Sequence, residues 1–244
     1  MIRALIVNAV TLLNALLGLA AMVALVLGPR LGLEPIATLE LAAILITVAI
    51  VPDVADGMLA RRLGASSEFG AQLDVNADTT TFNLATALLI AVTPSYAAPS
   101  PTALGLGFVA ALVYAGCGLA RSARLLVSAP PKVARGRYFH GATTNLAALA
   151  TCALVLWLPR VPADWIGPLS LAVCAQALVL GPLMVSRVLF ADVAGHLVRG
   201  LYPRWPILIL VALAPAWGLL ASWTAFVYAY GFVAPLVERA SPEA

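Results

Sequence analysis

The sequence predicts an all-α, polytopic membrane bundle, and three observations lead there. Hydrophobic residues fill 62% of the 244 positions and charged residues only 10%, a balance that excludes a soluble domain. The apolar residues gather into long blocks, each sufficient to cross a hydrocarbon layer of ~30 Å. The lysines and arginines fall between those blocks with a strong bias to one side.

Taken in order, spans are expected at about 5–27, 35–54, 70–93, 102–120, 142–159 and 167–190. The last block, 205–237, is too long for one crossing, since a helix rises ~1.5 Å per residue. Pro215 and Gly218 divide it into two short spans, which gives about eight transmembrane helices; six plus one long tilted helix is the alternative. Three regions follow: a six-helix core (1–190), a connector with the C-terminal helices (191–237) and a frayed tail (238–244). The first segment is long and lacks a small-residue cleavage pattern, so it reads as a span and not as a removable signal.

With the N-terminus placed in the cytoplasm, twelve basic residues fall inside: Arg3, Arg61, Arg62, Arg121, Arg124, Lys132, Arg135, Arg137, Arg187, Arg199, Arg204 and Arg239. Only Arg30 and Arg160 fall outside. This asymmetry predicts a multi-pass protein of the cytoplasmic (inner) membrane. It also explains the pI near 9 without a nucleic-acid partner. The outer turns 94–101 and 160–166 are short, whereas the bulkier polar loops 121–141 and 187–204 lie inside. Cys117, Cys152 and Cys174 stand singly in apolar runs, without metal-ligand spacing, and read as small packing residues.

One stretch departs from this apolar background. Asp53-x2-Asp56-Gly57-x2-Ala60-Arg61-x8-Gly70-x3-Asp74-x3-Asp78 holds four of the six aspartates within 26 positions. Helical spacing puts Asp53, Asp56 and Ala60 on one stripe, and Gly70, Asp74 and Asp78 on one stripe of the next helix. Residues 62–69 are just enough to reverse the chain. Four carboxylates converging at short range cannot all stay ionised without cations. Oxygen ligands select Mg²⁺, Mn²⁺ or Ca²⁺ over zinc or copper. Gly57 and Ala60 let a substrate approach the backbone, and Arg61 is suited to a phosphate. The combination describes a metal-dependent diphosphate site on the cytoplasmic side. A transporter would instead place ionisable groups near the midplane, often in repeated halves, and no repeat is visible.

The stretch resembles the motif of the CDP-alcohol phosphatidyltransferases, D-x2-D-G-x2-A-R-x8-G-x3-D-x3-D, with every fixed position filled. The resemblance implies the family's six-helix catalytic membrane core and two divalent ions, Mg²⁺ or Mn²⁺, on Asp53, Asp56, Asp74 and Asp78. It makes Asp78 the general base. It places CDP-diacylglycerol against Asp56, Gly57, Ala60, Arg61 and Gly70. Asn8 and Thr11 of the first helix match an Asn-x2-Thr element of the family, which adds them to the substrate-binding set. Asn14 lies on the same helix. The resemblance also implies a homodimer.

Further resemblances point to the bacterial phosphatidylserine synthase branch. They include Ser67-Glu68-Phe69-Gly70-Ala71, Phe82, Arg121-x2-Arg124, Tyr138-Phe139-x-Gly141 and Leu183-Met184-Val185-Ser186. L-serine is therefore the expected acceptor, with inositol phosphate and glycerol 3-phosphate next. Arg121 and Arg124, on one helical face, are expected to neutralise substrate phosphate or carboxylate, and Thr81 to line the acceptor pocket. Lys132 and Arg135 fit the orientation bias alone. The chain departs from that branch at Val75, Asn83, Leu126 and Ala142-Thr143, and it carries Thr79, Thr80 and Thr81 beside Asn83. These departures fall around the expected acceptor pocket. Glu40, some 13 residues from Asp53, lies ~20 Å away along a helix, too far for the metal site. His140 and His196 have no partner in sequence.

Overall fold

The computed structural model describes residues 2–127, 138–191, 224, 227 and 228. The basic residues Lys132, Arg135 and Arg137, His196, the C-terminal spans proposed within 205–237 and the tail lie outside the described residues.

The described chain is helical, as the composition requires. It runs α1 (Ile2–Leu27), α2 (Pro35–Val48), α3 (Ile50–Leu63), α4 (Glu68–Asp78), a π-helical segment (Thr79–Ala85), α5 (Thr86–Ala97), α6 (Pro101–Val127), α7 (Thr144–Val155) and α8 (Ala163–Val185). Four of these runs are long and apolar enough to cross a membrane: α1, the joined pair Pro35–Leu63, α6 and α8. Two strands, β1 (Tyr138–His140) and β2 (Leu189–Ala191), form a small antiparallel ribbon that the sequence did not announce.

Three local features decide how the site is carried. The span expected at 35–54 runs on to Leu63, with a break at Ala49. Pro52 explains the break. It has no N–H to give and its ring crowds the carbonyl four residues back. A fresh helix therefore begins one turn before Asp53, which puts this carboxylate in the first turn of α3 at the positive end of the helix dipole. Gly64, at φ +58°, ends α3, and Ser67 starts α4 by accepting a bond from the Gly70 amide at 3.0 Å. The turn between the two helices is thus shorter than the 62–69 expected.

The third feature is the π segment. From Glu68 to Ala97 the chain continues without a gap, but it widens over Thr79–Ala85. Interhelical contacts hold this widening. Tyr114 of α6 donates its hydroxyl to the Phe82 carbonyl at 3.1 Å. Asn83 donates to the Ala115 carbonyl at 3.2 Å, and Thr81 to the Asn14 carbonyl at 2.8 Å. A Cβ on Gly18 would come within 2.7 Å of the Thr81 Cα, so α1 and the π segment touch backbone to backbone. Gly118 leaves room for the Asn83 amide in the same way. Small residues permit such approaches between membrane helices, where polar side chains then bond across.

The core is small-residue rich. Ala42, Ala43, Ala110, Ala147, Ala150 and Ala177 are fully buried, around Phe82, Leu89, Ile90 and Tyr114. Leu5, Leu12 and Leu16 of α1 and Leu104, Phe108 and Leu112 of α6 face outward, as a surface solvated by lipid tails should. Glu40, too far along its helix for the metal site, pairs with Arg160 at 2.8 Å. This pair and the bond from the Tyr96 hydroxyl to the Leu25 carbonyl mark one end of the bundle. Arg3, bonded to the Leu63 carbonyl, and Arg121, bonded to the His140 carbonyl, mark the other. Among the described residues, the two ends of the bundle thus carry different basic residues, Arg160 at the first and Arg3 and Arg121 at the second.

Candidate active site

The turn at 64–67 folds α4 back beside α3, and α1 packs against both. Asp53 from α3 and Asp74 and Asp78 from α4 then converge, with one carboxylate oxygen of each lying within 4.8 Å of the others. Three half-buried carboxylates at this range repel one another strongly unless something positive sits between them. All the donors are oxygen, which suits a hard divalent cation. Asp56 lies outside this trio. It is 5% exposed, one turn further along α3, and its Oδ2 has no hydrogen-bond partner. An unpartnered buried carboxylate oxygen is expensive, and among the described residues nothing satisfies this one.

A cleft of about 300 Å³ opens beside the carboxylates. Asp56, Gly57, Ala60 and Arg61 line one wall, Ser67, Gly70 and Asp74 another, and Val7 and Thr11 the α1 side. A Cβ on Gly57 would meet only the Arg61 guanidinium, at 3.5 Å. No neighbouring helix needs this glycine, and the space in front of it belongs to the cleft. Gly70 differs, because its Cβ would come 3.1 Å from Ser67 Oγ and 3.5 Å from Asn8 Oδ1. Asn8 is thus seated against the first turn of α4, and Thr11 faces the cleft.

Two asparagines hold the trio from other helices. Asn14 of α1, fully buried, donates Nδ2 to Asp78 Oδ1 at 3.1 Å. Asn145 of α7 donates Nδ2 to Asp53 Oδ2 at 2.7 Å. The sequence does not single out Asn145, whereas Asn14, a polar residue within a span, bonds a neighbouring helix as such residues most often do. Nothing local marks Asn145, since a polar residue at the mouth of a span resembles any interfacial side chain.

The residues expected to read the acceptor are placed differently from the aspartates. Thr81 is fully buried, and its hydroxyl bonds to α1, so it does not line a pocket. Its β-branched neighbours likewise serve packing: Thr79 bonds to Ser122 of α6 and Thr80 to the Asn76 carbonyl. Of the departures around the expected acceptor pocket, Thr79, Thr80, Thr81 and Asn83 therefore bond within and around the widened helix. Arg121 is 4% exposed and bonds through Nη1 to the carbonyls of His140, Gly141 and Met184, at 3.1–3.4 Å. Arg124 bonds to the carbonyls of Met184 and Val185 and keeps a buried Nε without a partner. Both guanidiniums lie on the last carbonyls of α8, where the dipole favours a cation. Neither has a carboxylate partner among the described residues.

Carboxylates of α3 and α4 thus face each other beside an open cleft with an arginine on its rim, a donor set suited to a hard cation and a phosphate. The model of the CDP-alcohol phosphatidyltransferase family matches residues 4–195, most of the chain and all of this centre, and the protein belongs to that family. Membership makes it a transferase of phospholipid synthesis, acting on a CDP-alcohol at a membrane. It is also similar to the CDP-diacylglycerol–serine O-phosphatidyltransferase of Bacillus subtilis (strain 168), at 28% identity over 165 residues, which cover 67% of this chain and 82% of the relative.

Proposed function

We propose that the protein transfers the phosphatidyl group of CDP-diacylglycerol to the hydroxyl of L-serine, forming phosphatidylserine and releasing CMP. The observation that carries the chemistry is the trio Asp53, Asp74 and Asp78 beside the cleft of Gly57, Ala60 and Arg61. The choice of serine rests on the name of the Bacillus subtilis relative and on the motifs shared with its branch.

In this reading Asp53, Asp56, Asp74 and Asp78 hold two divalent ions, Mg²⁺ or Mn²⁺, which when bound supply positive charge to the diphosphate and to the departing nucleotide. Gly57 and Ala60 admit the cytidine nucleotide against the α3 backbone, with Asn8, Thr11 and Gly70 closing the opposite wall. Arg61, exposed on the rim, pairs with a phosphate oxygen. Asp78 takes the proton of the acceptor hydroxyl. The hydroxyl oxygen forms its bond to the phosphatidyl phosphorus while the bond from phosphorus to CMP breaks. The acyl chains stay in lipid, beside helices whose outer faces are apolar.

Arg124 is the better placed of the two arginines to meet the serine carboxylate, because it is half-buried where Arg121 is buried. A charged acceptor also makes a stronger bond to a guanidinium than a neutral carbonyl does. The two arginines without carboxylate partners support a second acceptor class as well, inositol phosphate or glycerol 3-phosphate. We place the site on the cytoplasmic side of the inner membrane, because the basic residues of the described chain collect at its end of the bundle. We also expect a homodimer, and a purely monomeric species after crosslinking in native membranes would contradict this.

The test is release of CMP from CDP-diacylglycerol by purified protein with Mn²⁺ or Mg²⁺, offered each of the three acceptors, beside Asp78→Asn. Serine-dependent release that falls by about 10²–10⁴ in the variant is expected. Release with a phosphorylated acceptor alone would move the specificity. Absence of metal-dependent CDP-diacylglycerol binding would sink the reading.

A further inference from the structure

We propose that Asn14 and Asn145 are positioning residues of the carboxylate centre, holding Asp78 and Asp53 in the orientation that binds a divalent cation. The inference rests on the metal-binding reading above and adds to it two residues outside the family motif.

Asn145 carries the stronger geometry, because its amide is held at both ends. The Thr144 hydroxyl donates to Asn145 Oδ1 at 3.1 Å, and Asn145 Nδ2 donates to Asp53 Oδ2 at 2.7 Å. An asparagine amide has one accepting and one donating end. An ionised carboxylate can only accept, so the donating end must face Asp53, and the accepting end is left to take the Thr144 hydroxyl. Thr143 adds a third element by capping α7, accepting a bond from the Leu146 amide at 3.2 Å. The run Thr143-Thr144-Asn145 thus fixes the start of the helix, the direction of the amide and the carboxylate in sequence.

Asn14 reaches the other carboxylate from α1. Its side chain is fully buried and donates to Asp78 Oδ1 at 3.1 Å. Its own carbonyl accepts from Thr81 at 2.8 Å, which ties this turn of α1 to the π segment that follows Asp78. The two asparagines come from different helices and bind different aspartates, and each leaves the second oxygen of its carboxylate unused by the asparagine. An uncharged donor is the suitable partner here. A lysine or arginine would compete with the cation for the site, whereas an amide orients the carboxylate and keeps its charge for the metal. Asp74, the third member, has no such amide partner among the described residues, which makes it the internal comparison.

The experiment is Mn²⁺ binding to the full-length protein in detergent, read by electron paramagnetic resonance without substrate. Asn145→Leu and Asn14→Leu keep much of the side-chain shape and lose the donor. Removing a partner that orients a ligand typically weakens metal binding by about 10–100-fold, and that loss is expected in each. Thr144→Val removes the bond that supports Asn145 Oδ1 and should weaken binding less, by about five-fold, the worth of one neutral hydrogen bond. Thr151→Val, on the same helix and bonded only to the Ala147 carbonyl, should bind Mn²⁺ as the parent does. Thermal midpoints measured in EDTA show whether each variant is folded. Should a leucine variant fail that check, Asn145→Ser and Asn14→Ser replace it, since serine fits easily and is too short to reach the carboxylate. Parent-like Mn²⁺ affinity in folded Asn14 and Asn145 variants, with binding lost in Asp74→Asn, would overturn this inference and leave the metal reading standing. A parent protein that binds no Mn²⁺ would overturn both.

Discussion

Gly57→Ala separates the claim that a ligand lies against α3 from the alternative that the glycine is a packing residue. Gly57 is interior to α3, Ile50–Leu63. A glycine in that position is less favourable than alanine by about 0.8–1.0 kcal/mol. The new methyl would meet only the Arg61 Nη1, at 3.5 Å, and Nη2, at 3.9 Å, which are ordinary contacts with the end of a flexible side chain. The fold should therefore tolerate the change or gain up to about 1 kcal/mol. In the cleft the same methyl stands where the nucleotide must approach the backbone. A misplacement of about 1 Å at a reacting centre costs on the order of 10²-fold in rate. The expected result is a thermal midpoint at or slightly above the parent's, with kcat/KM for CDP-diacylglycerol reduced about 100-fold. Both quantities come from one preparation, by a thermal scan in detergent and by CMP release against donor concentration. Unchanged kcat/KM in a stable variant would refute the placement of the donor. A destabilised variant would refute the reading of the space in front of Gly57.

Gly18→Ala should do the reverse: its Cβ would fall within 2.7 Å of the Thr81 backbone, an overpacking that costs about 1–3 kcal/mol, measurable as a lowered thermal midpoint. Tyr114→Phe leaves the Phe82 carbonyl without its donor at 3.1 Å. A loss of about 1–3 kcal/mol is expected, together with reduced kcat because Asp78 directly precedes the widened turn. Chelation with EDTA should abolish CMP release and lower the thermal midpoint. Restoring Mn²⁺ to 100 times its Kd should return about 2.7 kcal/mol of stability, and a midpoint indifferent to Mn²⁺ would count against a metal bound in the folded protein.

The bundle and the aspartates were legible in the sequence for the same reason: both are written in local spacing. Apolar blocks of span length appear where helices form, and the three- and four-residue intervals between Asp53, Asp56, Asp74 and Asp78 place them on facing stripes. What spacing could not supply was the division among the four. Asp56, one turn further along α3, lines the cleft between α1 and α4 and does not join the trio. The placement of Thr81 and of Arg121 turns on a related point. Each is at a helical position that could face either a pocket or a neighbour, and the neighbour has the partner: the Asn14 carbonyl for Thr81, and the ends of β1 and α8 for Arg121.

The π segment shows why these missed residues belong together. Thr79, Thr80 and Thr81 are β-branched and sit less comfortably in a regular helix than leucine or alanine. This makes the stretch after Asp78 easy to widen, but it does not require it to widen. The requirement comes from elsewhere in the chain: Tyr114 and Ala115 on α6 and Asn14 on α1 offer partners that a regular helix would not meet in the same register. Insertion of the extra residue per turn decouples the two halves of one long helix. The half before it can present Asp74 and Asp78 to α3, while the half after it packs Leu89 and Ile90 into the core. Asn14 stands at the junction, with its side chain on Asp78 and its carbonyl on Thr81. A single residue of α1 thus links the placement of a carboxylate to the irregularity that lets it be placed. Such an arrangement is invisible to any window of sequence that does not contain residues 14, 78, 81 and 114 at once.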